Sequence, residues 1–271
     1  MPELPEVETT LRGIAPHIDQ QTVSKIIIHN GSLRWPVDKT LPRILKNQQL
    51  LKLQRRGKYL ILCFSKGSLL LHLGMSGSLR VLNAGETLQK HDHFEMCFNN
   101  GKALRLRDPR RFGSVLWTTE PWETHKLINK LGPEPLSDDF DENRLYTKSR
   151  KKTVAIKSFV MNSHIIVGVG NIYASESLFI AGINPNKAAG KVSKKAYSAL
   201  TQAIKIILGN AIKQGGTTLK DFSSPDGNPG YFAQQLNVYG RKGEPCPKCK
   251  KPITQKVINQ RATYYCTVCQ R

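Results

Sequence analysis

The hydrophobic period of this chain changes once, and that change limits the folds open to it. Before the change, apolar residues come in short runs that read as half-buried strands. These are Val23 to His29, Leu50 to Gln54, Tyr59 to Phe64, Leu69 to Leu73, Leu79 to Leu82, Phe94 to Phe98, Ala103 to Arg107 and Ser114 to Thr118. Asn99-Asn100-Gly101 between two of them is a hairpin signal. A Pro-rich acidic connector follows, Leu131-Gly132-Pro133-Glu134-Pro135-Leu136-Ser137-Asp138-Asp139, and beyond it the spacing is helical. Asn171 to Ala181 ends at Gly182, and Ser193 to Lys213 carries Leu200, Ile204, Ile207, Leu208 and Ala211 on one stripe. Strands followed by helices predict a two-domain α+β chain whose first domain is a β-sandwich or barrel. A short helix leads it, because Pro5, Glu6 and Glu8 suit a helix start and Val7, Leu11 and Ile14 recur at helical spacing.

Charge narrows the partner. The 271 residues hold 41 Lys+Arg and 20 Asp+Glu, a formal net charge of +21. The surplus is not a tail: residues 1–130 carry 20 basic and 11 acidic residues, and the rest 21 and 9, so both halves are expected to face one polyanion as the walls of a cleft. Nucleic acid is the leading expectation. No apolar run approaches the length of a membrane span, and the start, MPELPEVETT, is acidic where a secretion signal is basic. A cytosolic or nuclear protein is therefore expected.

Four of the six cysteines crowd the last 26 residues. Cys246-x-x-Cys249 and Cys266-x-x-Cys269, with 16 residues between the pairs, have the spacing of a four-thiolate zinc ribbon. Four cysteine ligands leave no open coordination position, so one structural Zn2+ is expected. The hairpin between the pairs carries Lys256 and Arg261, which suits a grip on phosphates. Cys63 and Cys97 stand alone in apolar runs and read as small core residues.

Other stretches leave their chemistry open on spacing alone. Gly168-Val169-Gly170-Asn171 before a helix suits an anion, while Asn171 read plainly is an N-cap. Met75 in Leu73-Gly74-Met75-Ser76-Gly77, and Phe112 beside Arg110 in Asp108-Pro109-Arg110-Arg111-Phe112-Gly113, are either core residues or exposed groups that, next to a basic side chain, are able to fill a void in a base stack. Gln54-Arg55-Arg56-Gly57-Lys58-Tyr59 reads as a basic turn in which Lys58 is a nucleophile, an acid, a phosphate contact or a solvated charge. His91-x-His93 reads as a polar contact or hydrogen-bonded core rather than a metal pair, since no third ligand is near in sequence. Pro2 is a helix lead-in or, once Met1 is removed, a secondary amine next to Glu3. Terminal amines titrate near pH ~8 against ~10.4 for lysine, so such an amine is far more often neutral and nucleophilic.

Taken together and in order, Met1-Pro2-Glu3-Leu4-Pro5-Glu6-Val7-Glu8-Thr9, Arg55-Arg56-Gly57-Lys58-Tyr59-Leu60, His72-Leu73-Gly74-Met75-Ser76-Gly77, Asp108-Pro109-Arg110-Arg111-Phe112-Gly113, Val167-Gly168-Val169-Gly170-Asn171-Ile172-Tyr173 and the cysteine ribbon resemble the bacterial formamidopyrimidine-DNA glycosylases over the whole chain. The resemblance implies a bifunctional base-excision repair enzyme, glycosylase and abasic-site lyase, monomeric, cytoplasmic and nucleoid-associated, acting on double-stranded DNA with oxidised purines or abasic sites. It implies an N-terminal β-sandwich catalytic domain (1–130), a linker (131–141), a helix-two-turns-helix DNA-binding domain (142–236) whose loop 217–230 closes over the extruded base, and a zinc finger (237–271). Pro2 is then the nucleophile at C1′, Glu3 the proton donor, Lys58 the residue of β-elimination and Arg261 that of δ-elimination. His91, Arg110, Lys152 and Asn171 match DNA-contacting positions, and Met75, Arg110 and Phe112 match the residues that fill the void of the flipped base.

Two rival readings stay open on sequence. A relative acting on oxidised pyrimidines usually opens Pro-Glu-Gly-Pro-Glu, against Pro2-Glu3-Leu4-Pro5-Glu6 here, which points to purine lesions. A non-catalytic zinc-ribbon binder of nucleic acid would share the charge and the cysteines, but would not need a Pro2-Glu3 terminus with Lys58.

Overall fold

The structure is a computed structural model and describes residues 2–216 and 236–271. The chain forms two compact units that part between Asn129 and Lys130, with the cysteine-rich C-terminus in the second.

The first unit opens with helix α1 (Leu4–Ile18), followed by β1 (Val23–Ile28), a short helix α2 (Leu41–Leu45), β2 (Lys52–Arg56), β3 (Tyr59–Phe64), β4 (Gly67–His72), β5 (Ser78–Asn83), β6 (Asp92–Phe98), β7 (Lys102–Arg107) and β8 (Ser114–Thr118). All eight expected strands are present. They form two antiparallel four-stranded sheets, ordered β1-β6-β7-β5 and β2-β3-β4-β8. Leu60, Leu62, Leu69 and Leu71 from one sheet and Phe94, Met96, Leu104 and Leu106 from the other share one core with Val7, Ile14 and Ile18 of α1. Each such side chain contributes about 1.5–3 kcal/mol on leaving water. Helix α1 runs past Ile14, the last residue of the expected helical spacing, and through Pro16, because Ile14 and Ile18, one turn apart, are both fully buried. That burial offsets the backbone bond which Pro16 cannot donate.

The second face of strand β6 is not solvated as an alternating pattern implies, for all seven of its residues are buried. Arg105 on β7 lies against Glu95 and Asp92, and its guanidinium donates to the carbonyls of Glu86 and Thr87. Arg80 adds an ion pair to Asp92 at 2.6 Å. The 86–89 segment thus covers charges that would otherwise face water. Cys97 is buried here and its thiol is pushed up to about 11, by burial first and then by the neighbouring Glu95 carboxylate, in keeping with an inert core residue.

The second unit contains α3 (Glu142–Ser149), α4 (Ile156–Val160), α5 (Asn171–Ile180), α6 (Lys194–Lys213) and the hairpin β9 (Thr254–Ile258) and β10 (Arg261–Tyr265). The whole expected stripe on α6 is buried. Asp141 caps α3 by accepting from the Arg144 amide at 2.7 Å. The N-cap of α5 is Gly170, so the reading of Asn171 as a plain cap is corrected. Gly182 follows α5 with φ 69°, the left-handed conformation that glycine adopts at a helix end without strain. The polar loop expected over the lesion, 217–230, lies outside the described residues.

Candidate active site and metal centre

Pro2 and Glu3 are buried where α1 begins. Glu3 is the N-cap residue and forms a capping box with Glu6: its side chain accepts from the Glu6 amide, while its own N–H donates to Glu6 Oε2 at 2.9 Å. Pro5 sits in the first turn, where its missing N–H costs nothing. The Met-Pro-Glu-Leu-Pro-Glu start is therefore a helix signal and a means of fixing the first residues in one place.

The turn bearing Lys58 is attached to that helix. Arg55 Nε lies 2.8 Å from Glu8 Oε2, and Arg55 also donates to the Gly57 carbonyl at 3.0 Å. Glu8 takes a second bond from Arg12 at 2.9 Å. Burial works to raise the Glu8 carboxyl, but the two guanidinium groups hold it below its ordinary value. The turn is tighter than its sequence suggests, since Arg55 and Arg56 belong to β2 and only Gly57-Lys58 connects to β3. Gly57 is buried with φ 57°, which allows the two-residue reversal and leaves Lys58 half-buried.

Behind Lys58 stands His72. Its Nδ1 accepts from the Gly74 amide at 2.9 Å, and its ring is 4.8 Å from that of Tyr59. Burial, and after it the charges of Lys58 and Arg34, lower His72 to about 4. The ring is thus neutral at working pH, with its proton on Nε2. Burial raises Tyr59, against the opposing pull of Arg34. The charges of Lys58 and Arg34 thus gather at this end of the sandwich, and they suit an anion such as a backbone phosphate.

Met75, Arg110 and Phe112 lie in two loops packed backbone to backbone. Phe112 is 43% exposed and Met75 half-buried, so neither is a core residue. The Arg110 guanidinium stands 5.1 Å from the Phe112 ring centroid. His91 joins the same region, with φ 76° and its carbonyl accepting from the Asp108 amide at 3.0 Å. His93 is buried and its Nε2 donates to the Asp108 carbonyl at 2.9 Å, which makes the pair a hydrogen-bonded element as expected.

In the second unit, Lys152 and Arg261 line one groove of about 910 Å³, together with Asn162, Ser158 and Gln260. Arg261 follows the β9–β10 turn, in which Asn259 and Gln260 both have positive φ, the primed turn that matches strand twist. Asn171 does not cap its helix but donates from Nδ2 to the Ala262 carbonyl at 3.0 Å, one residue from Arg261. Lys157, only 1% exposed, donates from Nζ to the same carbonyl at 3.0 Å and to Thr263 Oγ1 at 2.8 Å. Lys157 escaped the sequence reading because a lysine in a basic segment looks like a solvated charge. Glu176 escaped it too: fully buried on α5, it accepts from the amides of Asn237, Val238 and Tyr239 and so fixes the chain leading into the cysteine ribbon.

The four cysteine Sγ atoms lie within 4.8 Å of one another, with Cys249–Cys266 at 3.4 Å and Cys246–Cys269 at 3.9 Å. A tetrahedron with Zn–S bonds of ~2.3 Å needs sulfurs ~3.8 Å apart, so the donor set fits zinc. Cys246, although burial raises it, is brought down to about 7 by the amides of Cys249 and Lys248 that point at its sulfur. Cys269 is pushed up to about 12, mainly by its contact with Cys249, because crowded thiols resist ionising together unless a cation joins them. Gln270 ties the ribbon to the end of α5, donating from Nε2 to the Ile183 carbonyl at 3.0 Å. The zinc is structural, and through β10 it holds Arg261.

A helix start tied to a lysine turn, on a chain whose other unit carries a basic groove and a four-cysteine ribbon, fits one class of protein, the DNA repair enzymes. Residues 1–115 match the formamidopyrimidine-DNA glycosylase N-terminal domain, 131–223 the H2TH domain of the same enzymes, and 243–271 the zinc finger found in FPG and IleRS. The chain belongs to the formamidopyrimidine-DNA glycosylase family. It is 54% identical to the formamidopyrimidine-DNA glycosylase of Saccharophagus degradans over 271 residues, the full length of both chains. It is also similar to Lactococcus lactis Fpg (MutM) in complex with DNA containing N7-benzyl-Fapy-dG, with TM-score 0.91, 33% identity and full coverage of both chains. The same enzyme with abasic-site DNA matches with TM-score 0.91 and 33% identity over 99% of each chain. Among the described residues no helix is long and apolar enough to cross a membrane.

Proposed function

We propose that this chain excises oxidised purines, 8-oxoguanine and formamidopyrimidines, from duplex DNA and then cleaves the strand as an abasic-site lyase. The observation that carries the reading is the Arg55–Glu8 link, which ties the strand leading into the Lys58 turn to helix α1, directly after Pro2 and its N-cap Glu3. With Met1 removed, the Pro2 nitrogen attacks C1′ of the damaged nucleoside and the bond from C1′ to the base breaks. Glu3 supplies the proton that opens the sugar ring, leaving an iminium between Pro2 and C1′. That cation accepts the electrons of a C2′–H bond, so the C3′–O bond breaks in β-elimination, served by Lys58. Loss of the 5′ oxygen in δ-elimination, served by Arg261, leaves phosphate at both ends of a one-nucleotide gap.

His91, Arg110, Lys152 and Asn171 are read as DNA contacts, and Met75, Arg110 and Phe112 as the group that fills the stack when the nucleotide leaves it. Residues 1–130 then form the catalytic domain, 131–141 a linker, 142–236 the DNA-binding domain and 237–271 the zinc finger. The exposure of Phe112 beside Arg110 supports the void-filling role.

Borohydride trapping tests the proposal. The zinc-loaded protein, incubated with a duplex carrying 8-oxoguanine opposite cytosine and then reduced, is expected to give a covalent adduct whose peptide map ends at Pro2. Intact mass is expected to show loss of Met1. Binding without adduct or cleavage, on this lesion and on thymine glycol, would overturn the enzymatic reading in favour of a zinc-ribbon binder.

A further inference from the structure

We propose that Asp108 is a positioning residue that locks the two void-filling loops into a single wedge, so that Met75 and the Arg110–Phe112 pair enter the DNA together. The inference rests on the void-filling reading above. Asp108 has no solvent exposure and lies just after β7, where the chain leaves the sandwich. One carboxylate oxygen, Oδ1, accepts from the hydroxyl of Ser76 at 2.9 Å, in the loop of Met75. The other, Oδ2, accepts from the amide of Gly113 at 2.7 Å, next to Phe112. Ser76 closes the circuit, since its Oγ accepts from the amide of Arg110 at 3.2 Å.

The Asp108 backbone is held as well. Its carbonyl accepts from the Arg111 amide at 3.1 Å and from His93 Nε2 at 2.9 Å, and its N–H donates to the His91 carbonyl at 3.0 Å. The loops also meet without side chains between them. Gly74 has φ 63°, and a Cβ placed there would collide with the Phe112 carbonyl carbon and the Gly113 nitrogen. A Cβ at Gly113 would stand 3.0 Å from Asp108 Oδ2.

A wedge must resist the restoring force of the base stack it opens. Two independent loops ending in a flexible methionine and an exposed phenylalanine would yield to that force. Two loops pinned through one buried carboxylate move only as a pair. The carboxylate touches no substrate; its effect passes through the residues that do.

The test is a double-mutant cycle on single-turnover excision of 8-oxoguanine from duplex DNA, using the full-length zinc-loaded protein. Asp108→Asn keeps the volume and one acceptor but cannot accept from both donors. It is expected to slow excision about tenfold in the parent, and less than about twofold in a Met75→Ala/Phe112→Ala background, because the wedge it positions is already gone. Equal losses in both backgrounds overturn the proposal and make Asp108 a general structural residue. Ser76→Ala, which breaks the circuit at its other member, is expected to give a smaller loss with the same dependence on background, and it carries the test where a thermal melt shows that Asp108→Asn has unfolded. A Met75→Ala/Phe112→Ala protein as fast as the parent defeats the void-filling reading and this proposal with it. Trapping at Pro2 stands apart from that outcome and reports the chemistry alone.

Discussion

Arg55 Nε and Glu8 Oε2 are 2.8 Å apart, across 47 positions of sequence, and this pair ties helix α1, which follows directly on Pro2 and Glu3, to the strand leading into the Lys58 turn. Both side chains are largely buried, at 12% and 17% exposure. Removing Arg55 leaves the Glu8 carboxylate with the exposed Arg12, so the loss falls below the ~3–5 kcal/mol of a broken, fully buried pair. Arg55→Ala is expected to slow the cleavage of abasic-site DNA, where Lys58 acts, by about tenfold, with a smaller effect on DNA binding. Comparing the trapping rate with the affinity for an uncleavable duplex separates the two.

The same pair sets a pH limit. Glu8 lies below its ordinary value in the folded chain, so the unfolded chain binds its proton more readily. Its contribution to stability is complete above about pH 4.5 and is lost as pH falls through the lower folded value. Glu8→Gln is expected to lower the thermal midpoint at pH 7 and to flatten its fall between pH 5 and pH 3, seen in melts across that range.

His72 titrates in the opposite chemical sense but with the same direction in pH. Folding lowers it from 6.5 to about 4, so between those values the unfolded chain is the one that takes up the proton. Stability is complete above pH ~6.5 and declines toward pH 4, by at most about 3 kcal/mol if the whole shift is expressed. His72→Asn, which offers an oxygen to the Gly74 amide, is expected to remove that slope. Urea unfolding at pH 7 and pH 4.5 measures it, and an unchanged difference would show that His72 is not the group responsible.

How far the sequence foretells all this depends on whether a residue's role is local. The eight strands were legible as short apolar runs set off by turn residues, and the cysteine ribbon because a tetrahedral metal needs its ligands at set spacings. The start of α1 was legible in Pro5, Glu6 and Glu8, whereas the capping box of Glu3 with Glu6 was not, because glutamate is not among the usual N-cap residues. Helix α4 was not legible, because five residues are too few to show a period. Nor was the second layer over β6, where Arg105 is buried by a segment that nothing in a strand pattern announces. Lys157 and Glu176 share that difficulty. Each owes its function to partners about 60 to 106 residues away, at 3.0 Å or less, and a chain read in order gives no sign of which charges end up inside.

Lys157 provides a prediction that separates the steps of the reaction. Its ammonium and the Asn171 amide share the Ala262 carbonyl, so the β10 strand carrying Arg261 is held from two sides. Lys157→Met fills similar volume but leaves the Thr263 hydroxyl and one side of that carbonyl without a donor. Base release is expected to change by less than about threefold, while the proportion of product that has undergone δ-elimination falls about tenfold. Gel resolution of the two 3′ ends gives both numbers from one reaction.

Metal removal tests the same strand from its other end. One Zn2+ per chain is expected by elemental analysis, and chelation of it, or Cys249→Ser, leaves crowded thiols that Cys269, pushed up to about 12, shows to be poor at ionising together. The ribbon core of Phe179, Val238 and Ile253 packs directly on Cys246 and Cys266, so loss of the ion is expected to loosen β9 and β10 while the sandwich keeps its melting transition. DNA affinity then falls, and with it the salt dependence of binding, by about one phosphate contact for each basic side chain released. A chelated protein that kept its full affinity and salt slope would mean that the hairpin of Lys256 and Arg261 takes no part in holding DNA.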